Sequence, residues 1–170
     1  DGEKPSMCSE STMRKTNNVM LVLAFLTAFT LHLLLFSYSP MIPLVMSELE
    51  LSHAEAGLLF SVSMLAIILL RIPWGFLSDR FGVIRTMKLA VAFVGFFGFM
   101  RGFSPSFSTL LVSQLFLGAG FAAILPCLAK IVNLLYEEKA GLATGIYASG
   151  FPIGEIVGVS LASNLLPILR

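Results

Sequence analysis

Five long apolar runs decide what this chain can fold into, because each approaches the ~20 residues that an α-helix needs to cross ~30 Å of hydrocarbon. The first, VMLVLAFLTAFTLHLLLF, covers Val19 to Phe36 and stops just before the helix breakers Ser39-Pro40 and Pro43. The expected spans are about 19–38, 54–76, 85–103, 106–132 and 140–166, the fourth with Pro126 inside it. The core of a signal peptide would be shorter than the first run and would precede a small-x-small cleavage site, so the run is read as a mature helix. Backbone polar groups in lipid must be satisfied internally, which restricts spanning segments to helices and closed barrels. Runs that are apolar all round exclude a barrel, whose strands would alternate. Of the 170 residues 56% are hydrophobic and 12% charged, too little polar surface for a water-soluble globule. The fold class is therefore an all-α integral membrane protein, with a polar leader (1–18) ahead of a transmembrane domain (19–170).

The placement of lysine and arginine orients the spans. The leader carries Lys4, Arg14 and Lys15, the second connection carries Arg80, Arg85 and Lys88, and the end of the fourth span and the loop after it carry Lys130 and Lys139. The first connection, SPMIPLVMSELELSHAE, has three glutamates and no base, and RGFSPSFS offers only Arg101, read as an interfacial anchor. By the positive-inside rule the N-terminus is cytoplasmic, and five spans put Arg170 outside. The net charge of +1 rests on scattered bases, so a nucleic-acid partner is excluded. Cys8 and Cys127 match no metal-binding or redox spacing and read as unpaired thiols. No metal site, cofactor or phosphate-binding loop is expected.

The stretch GFLSDRFGVIR, Gly75 to Arg85, resembles the cytoplasmic-loop signature of the major facilitator superfamily, Gly-x-Leu-small-Asp-Arg-x-Gly followed by basic residues. Gly75, Leu77, Ser78, Asp79, Arg80 and Gly82 match it; Val83 and Ile84 replace two customary bases, and the first base after the glycine is Arg85. LGAGFAAILP and EEKAGLATGIYASG are similar to family patterns on the fourth and fifth helices. The resemblance implies five transmembrane helices of a partial six-helix N-terminal half, N-terminus cytoplasmic. It implies a fragment or truncated form whose partners are the lipid bilayer and the missing C-terminal helices, with a substrate site between two halves built from inverted repeats. The implied protein is a multi-pass secondary transporter in the plasma membrane, moving a small-molecule or ionic substrate, an anion by preference, by proton-coupled alternating access. Asp79 and Arg80 would then form a conformational latch at the cytoplasmic edge. Efflux of organic compounds and a non-transporting membrane subunit are the alternatives. Gln114 stands where proton-coupled efflux members often have an arginine, which counts against drug/proton antiport.

A charge near the middle of a spanning helix costs ~2.5–3.5 kcal/mol on insertion scales, so each one asks for a partner or a cavity. Arg71 lies eight residues before Asp79, ~12 Å deeper along its helix. Its guanidinium offers a fork of donors to an oxyanion, and LLRIPWGFLSDRFG resembles the helix with which the nitrate and nitrite porters of the family grip their anion. Arg71 is the substrate-binding candidate; snorkelling to the headgroups, or an ion pair with Glu155, is the structural alternative. Glu155 and His32 are the proton-coupling candidates, since a carboxyl or an imidazole in a span can take up a proton; for His32 a packing role weighs more. Gly150, Gly154 and Gly158 recur every fourth residue and admit a close helix neighbour, while Pro152 bends the helix as a hinge or a kink. Pro152 also falls where the nitrate branch has an asparagine, so an organic anion competes with nitrate. Ser149-Gly150 and His32 hold the parts of an intramembrane serine protease, but Tyr147 occupies the place of its first glycine, and an enzyme is not expected.

Overall fold

The computed structural model describes residues 7–136 and 139–167, with side chains from residue 17 onward. Lys4, Arg170 and the side chains of Cys8, Arg14 and Lys15 lie outside the described residues. Within them the chain forms α1 (Met7–Phe36), a 3-10 turn (Ser39–Met41), α2 (Ile42–Glu48), α3 (His53–Phe81), α4 (Val83–Arg101), α5 (Phe107–Leu135) and α6 (Ala140–Leu165). Five spans are long and apolar enough to cross a membrane, formed by α1 with α2, α3, α4, α5 and α6.

Helix ends and apolar-run ends differ, for a physical reason. Hydrophobicity marks where hydrocarbon ends, whereas a helix ends where its backbone can no longer continue. At its start α1 runs back into the expected leader, because nothing after Pro5 breaks it. The breaker series then yields the 3-10 turn and α2, each with a proline in its first turn, where the missing N–H costs nothing. Ser52 caps α3 with Glu55 in a reciprocal box, the serine hydroxyl accepting from the Glu55 N–H and the carboxylate accepting from the Ser52 N–H at 2.8 Å. At the far end α3 continues through Asp79 and Arg80 to Phe81 and stops at Gly82, whose φ of +89° suits glycine alone.

The long helix α5 is the centre of the bundle. Of its most apolar stretch 61% is buried, while no other span exceeds 28%. Its run GAGFAA, Gly118 to Ala123, is buried throughout. The other spans turn large apolar side chains outward, such as Ile68, Ile72, Phe76, Phe96 and Phe99. Water would penalise those faces, but a lipid chain solvates them.

Two helix pairs run parallel in steady register. On α6, a Cβ at Gly150 would meet the Phe25 carbonyl at 2.8 Å, one at Gly154 would collide with the Phe29 backbone, and one at Gly158 would meet the Leu33 carbonyl at 2.7 Å. The four-residue step on both helices keeps α1 and α6 in contact backbone to backbone. The second pair is α3 with α5, where a Cβ at Gly118 would lie 2.5 Å from the Ser63 carbonyl. Ser63, buried here, points its hydroxyl at the Gln114 carbonyl (3.2 Å) and at Gln114 Oε1 (3.3 Å). Helix α4 packs antiparallel on the opposite side of α5, with Val94 and Ala90 against Gly120.

Candidate functional site

Four helices, α1, α3, α5 and α6, line a partly open cavity of about 160 Å³. Its walls are Leu31, Leu35 and Phe36 from α1, Met64 and Ile67 from α3, Phe121, Ile124 and Leu125 from α5, and Phe151 from α6. His32 is the one ionisable side chain in this lining. Its ring stacks on Phe36 at 5.7 Å between centroids and leans on Phe151 at 4.5 Å. Nδ1 of His32 is buried and has no hydrogen-bond partner among the described residues. A polar nitrogen left unpaired in an apolar wall costs free energy until a partner bonds to it.

Glu155 lies one turn beyond Phe151 on α6, half-buried and near enough to His32 to act on it electrostatically. The two proton-coupling candidates therefore belong to one neighbourhood, across the α1–α6 crossing. Arg71 is exposed on α3, with no hydrogen bond or ion pair among the described residues. Residues 64, 67 and 71 form a stripe at i, i+3 and i+7, so Arg71 continues the face that lines the cavity. A helical side chain leans toward its own N-terminus, and for Arg71 that direction is toward Ile67 and the cavity.

The expected alternative of an Arg71–Glu155 ion pair does not form among the described residues. The helix directions explain why. From the cavity, Arg71 lies one turn toward the end of the bundle that carries Asp79, and Glu155 lies one turn toward the end that carries Arg101. Two turns of helix, ~11 Å, separate them along the bundle axis.

The loop signature has a partner that its motif does not name. Lys130 on α5 donates to the Gly75 carbonyl (3.2 Å), to Ser78 Oγ (2.6 Å) and to Asp79 Oδ1 (2.7 Å). All three N–H donors of the ammonium are thus used. Ser78 is buried and itself donates to the Gly75 carbonyl at 2.8 Å. Arg80 and Arg85 are exposed. In the sequence Lys130 reads only as one of the bases at the end of the fourth span, because nothing local to it announces that α3 and α5 pair in parallel register. At the opposite end Arg101 donates to the Leu34 carbonyl (3.3 Å) and lies over the Tyr38 ring at 4.7 Å, tying α4 to the end of α1. Cys127 is a free, buried thiol.

The comparisons with known proteins agree with this architecture. A family model described as Major Facilitator Superfamily matches residues 24–169. A probable 4-methylmuconolactone transporter of Cupriavidus pinatubonensis is 30% identical over 76% of this chain and 30% of its own length. A probable nitrate transporter of Staphylococcus haemolyticus is 24% identical over 76% of this chain and 32% of its own. A probable L-galactonate transporter of Escherichia coli is 29% identical over 74% of this chain and 28% of its own. The chain thus spans about a third of the length of the curated relatives it matches.

Proposed function

The chain belongs to the Major Facilitator Superfamily, and from that premise we propose that it is part of a plasma-membrane transporter that moves a small anion together with a proton by alternating access. The family is one of multi-pass membrane transporters, not of enzymes. One observation carries the anion-and-proton reading: the three ionisable residues deep in the spans gather about a single apolar cavity, His32 in its wall, Glu155 and Arg71 one turn to either side. In this reading Arg71 meets the anion with its forked donors, and the His32–Glu155 pair holds the proton. An anion adds negative charge near the Glu155 carboxylate where low polarity magnifies repulsion. Anion and proton therefore enter together, which is symport. Two of the relatives named above are said to carry nitrate and galactonate, both anions.

The N-terminus is cytoplasmic in this proposal, because Arg80, Arg85, Lys88, Lys130 and Lys139 then all lie on the inner side. Asp79 and Arg80, exposed at that edge, latch against the further helices that the longer relatives possess. Gly150, Gly154 and Gly158 hold the α1–α6 pair together while Pro152 supplies the bend. The test is uptake of labelled anion by the complete transporter in proteoliposomes under an imposed pH gradient. Arg71→Lys is expected to abolish uptake while leaving membrane insertion intact. Unaltered anion affinity in that variant refutes the role of Arg71, and uptake indifferent to collapse of the gradient refutes proton coupling.

A further inference from the structure

We infer that the solute accepted at the His32 cavity is a compact cyclic monocarboxylate of about the size of benzoate, rather than a small inorganic oxyanion. This rests on the anion reading above and names its substrate class. Size is the first reason. The cavity measures about 160 Å³, and an apolar cavity of ~150 Å³ takes up one benzene molecule. Nitrate would leave most of that volume as apolar wall facing nothing.

Lining chemistry is the second reason. An oxyanion stripped of water needs a donor for each oxygen, and this wall supplies a single imidazole among leucine, isoleucine, methionine and phenylalanine side chains. A carbocyclic ring asks for no donors. Phe36, His32 and Phe151 instead present ring faces and edges at tilts of 24° and 40° to one another, surfaces on which a flat ring packs by offset stacking and edge contacts.

The third reason is where the charges stand. The cavity wall carries no fixed cation, but Arg71 lies one turn along the stripe of Met64 and Ile67, and the usual lean of a helical side chain toward its own N-terminus favours reach toward the cavity. A solute with an apolar body and one carboxylate at its end matches that division, the ring among Phe36, Phe151 and Ile67, the carboxylate toward the Arg71 fork. A dicarboxylate would drive its second charge toward Glu155 and is disfavoured.

The experiment measures uptake of labelled benzoate and labelled nitrate by the complete transporter in proteoliposomes. Benzoate is expected to accumulate, and a hundredfold excess of nitrate to leave its uptake unchanged. Ile67→Trp, which fills the cavity from α3, is expected to lower benzoate uptake at least tenfold at equal amounts of inserted protein. Should that variant fail to insert, Phe151→Ala decides the matter: by widening the cavity it is expected to raise the rate for 2-naphthoate relative to benzoate. Nitrate uptake with benzoate excluded overturns the substrate class and leaves the anion reading standing. Benzoate uptake with its selectivity unmoved by Phe151→Ala overturns the cavity assignment. Uptake of neither anion sinks the anion reading and this inference with it.

Discussion

Replacing Lys130 with methionine and, separately, Asp79 with asparagine divides the Lys130 contacts into a part that holds the helices together and a part that does not. Both changes remove the Lys130–Asp79 ion pair at 2.7 Å, yet the two side chains differ in setting, 33% and 69% exposed respectively. An ion pair in contact with solvent is worth ~0–1 kcal/mol, so Asp79→Asn costs α3–α5 packing no more than that. Lys130→Met also removes the charge-assisted bonds to the buried Ser78 hydroxyl and the Gly75 carbonyl. A hydrogen bond to a charged group is worth ~1.5–3 kcal/mol, and the loss is softened because Ser78 keeps its own bond to Gly75. The net expectation for Lys130→Met is about 2 kcal/mol, or a fall in melting temperature of roughly 4–8 °C if the cooperative unit has 150–250 residues. Thermal unfolding of the purified complete transporter in detergent measures both. Asp79→Asn is expected to melt within ~4 °C of the parent and, in the latch role proposed above, still to lose transport. An equal or larger drop for Asp79→Asn would refute this division and make the ion pair the clamp.

Gly154→Leu is expected to separate α1 from α6, because its side chain would occupy the Phe29 backbone, whereas Gly145→Leu, with nothing within 4 Å, is expected to be tolerated. Monodispersity in size-exclusion chromatography compares them, and equal behaviour would contradict the close crossing. Gly82→Ala has open space for its methyl but keeps φ at +89°, so a backbone penalty of about 1–3 kcal/mol is expected without any packing change. Its check is a lowered melting temperature with an unaltered anion affinity; a neutral substitution would show that the turn relaxes.

The spans were legible because the membrane imposes a length that no soluble fold imposes, and VMLVLAFLTAFTLHLLLF meets it outright. Their ends were less so. Apolarity ceases near Phe76, but α3 runs on through a serine, an aspartate and an arginine to Gly82, since a helix needs no hydrocarbon to continue. The capping box at Ser52 and Glu55 was readable as Ser-x-x-Glu and fixes where α3 begins. Which helix sits in the middle was not readable from hydropathy, because the most apolar stretch of the first span is more apolar than that of α5 yet far less buried. The small residues of GAGFAA are what admit neighbours on every side of α5.

The same reasoning separates what local sequence can say about a site from what it cannot. Gly150, Gly154 and Gly158 announce a close neighbour by spacing alone, but only the fold reveals that this neighbour is α1, and that the crossing brings Glu155 to His32. Arg71 and Glu155, each without an evident partner in its own helix, invite an ion pair on cost grounds. The opposed directions of α3 and α6 place them on either side of the cavity instead. Two uncancelled charges flanking an apolar space of about 160 Å³ make poor structural glue, since neither relieves the other's desolvation. That arrangement is intelligible if the relief is to come from a transported solute and its proton, and it is why substitution at Arg71 should be felt in uptake before it is felt in folding.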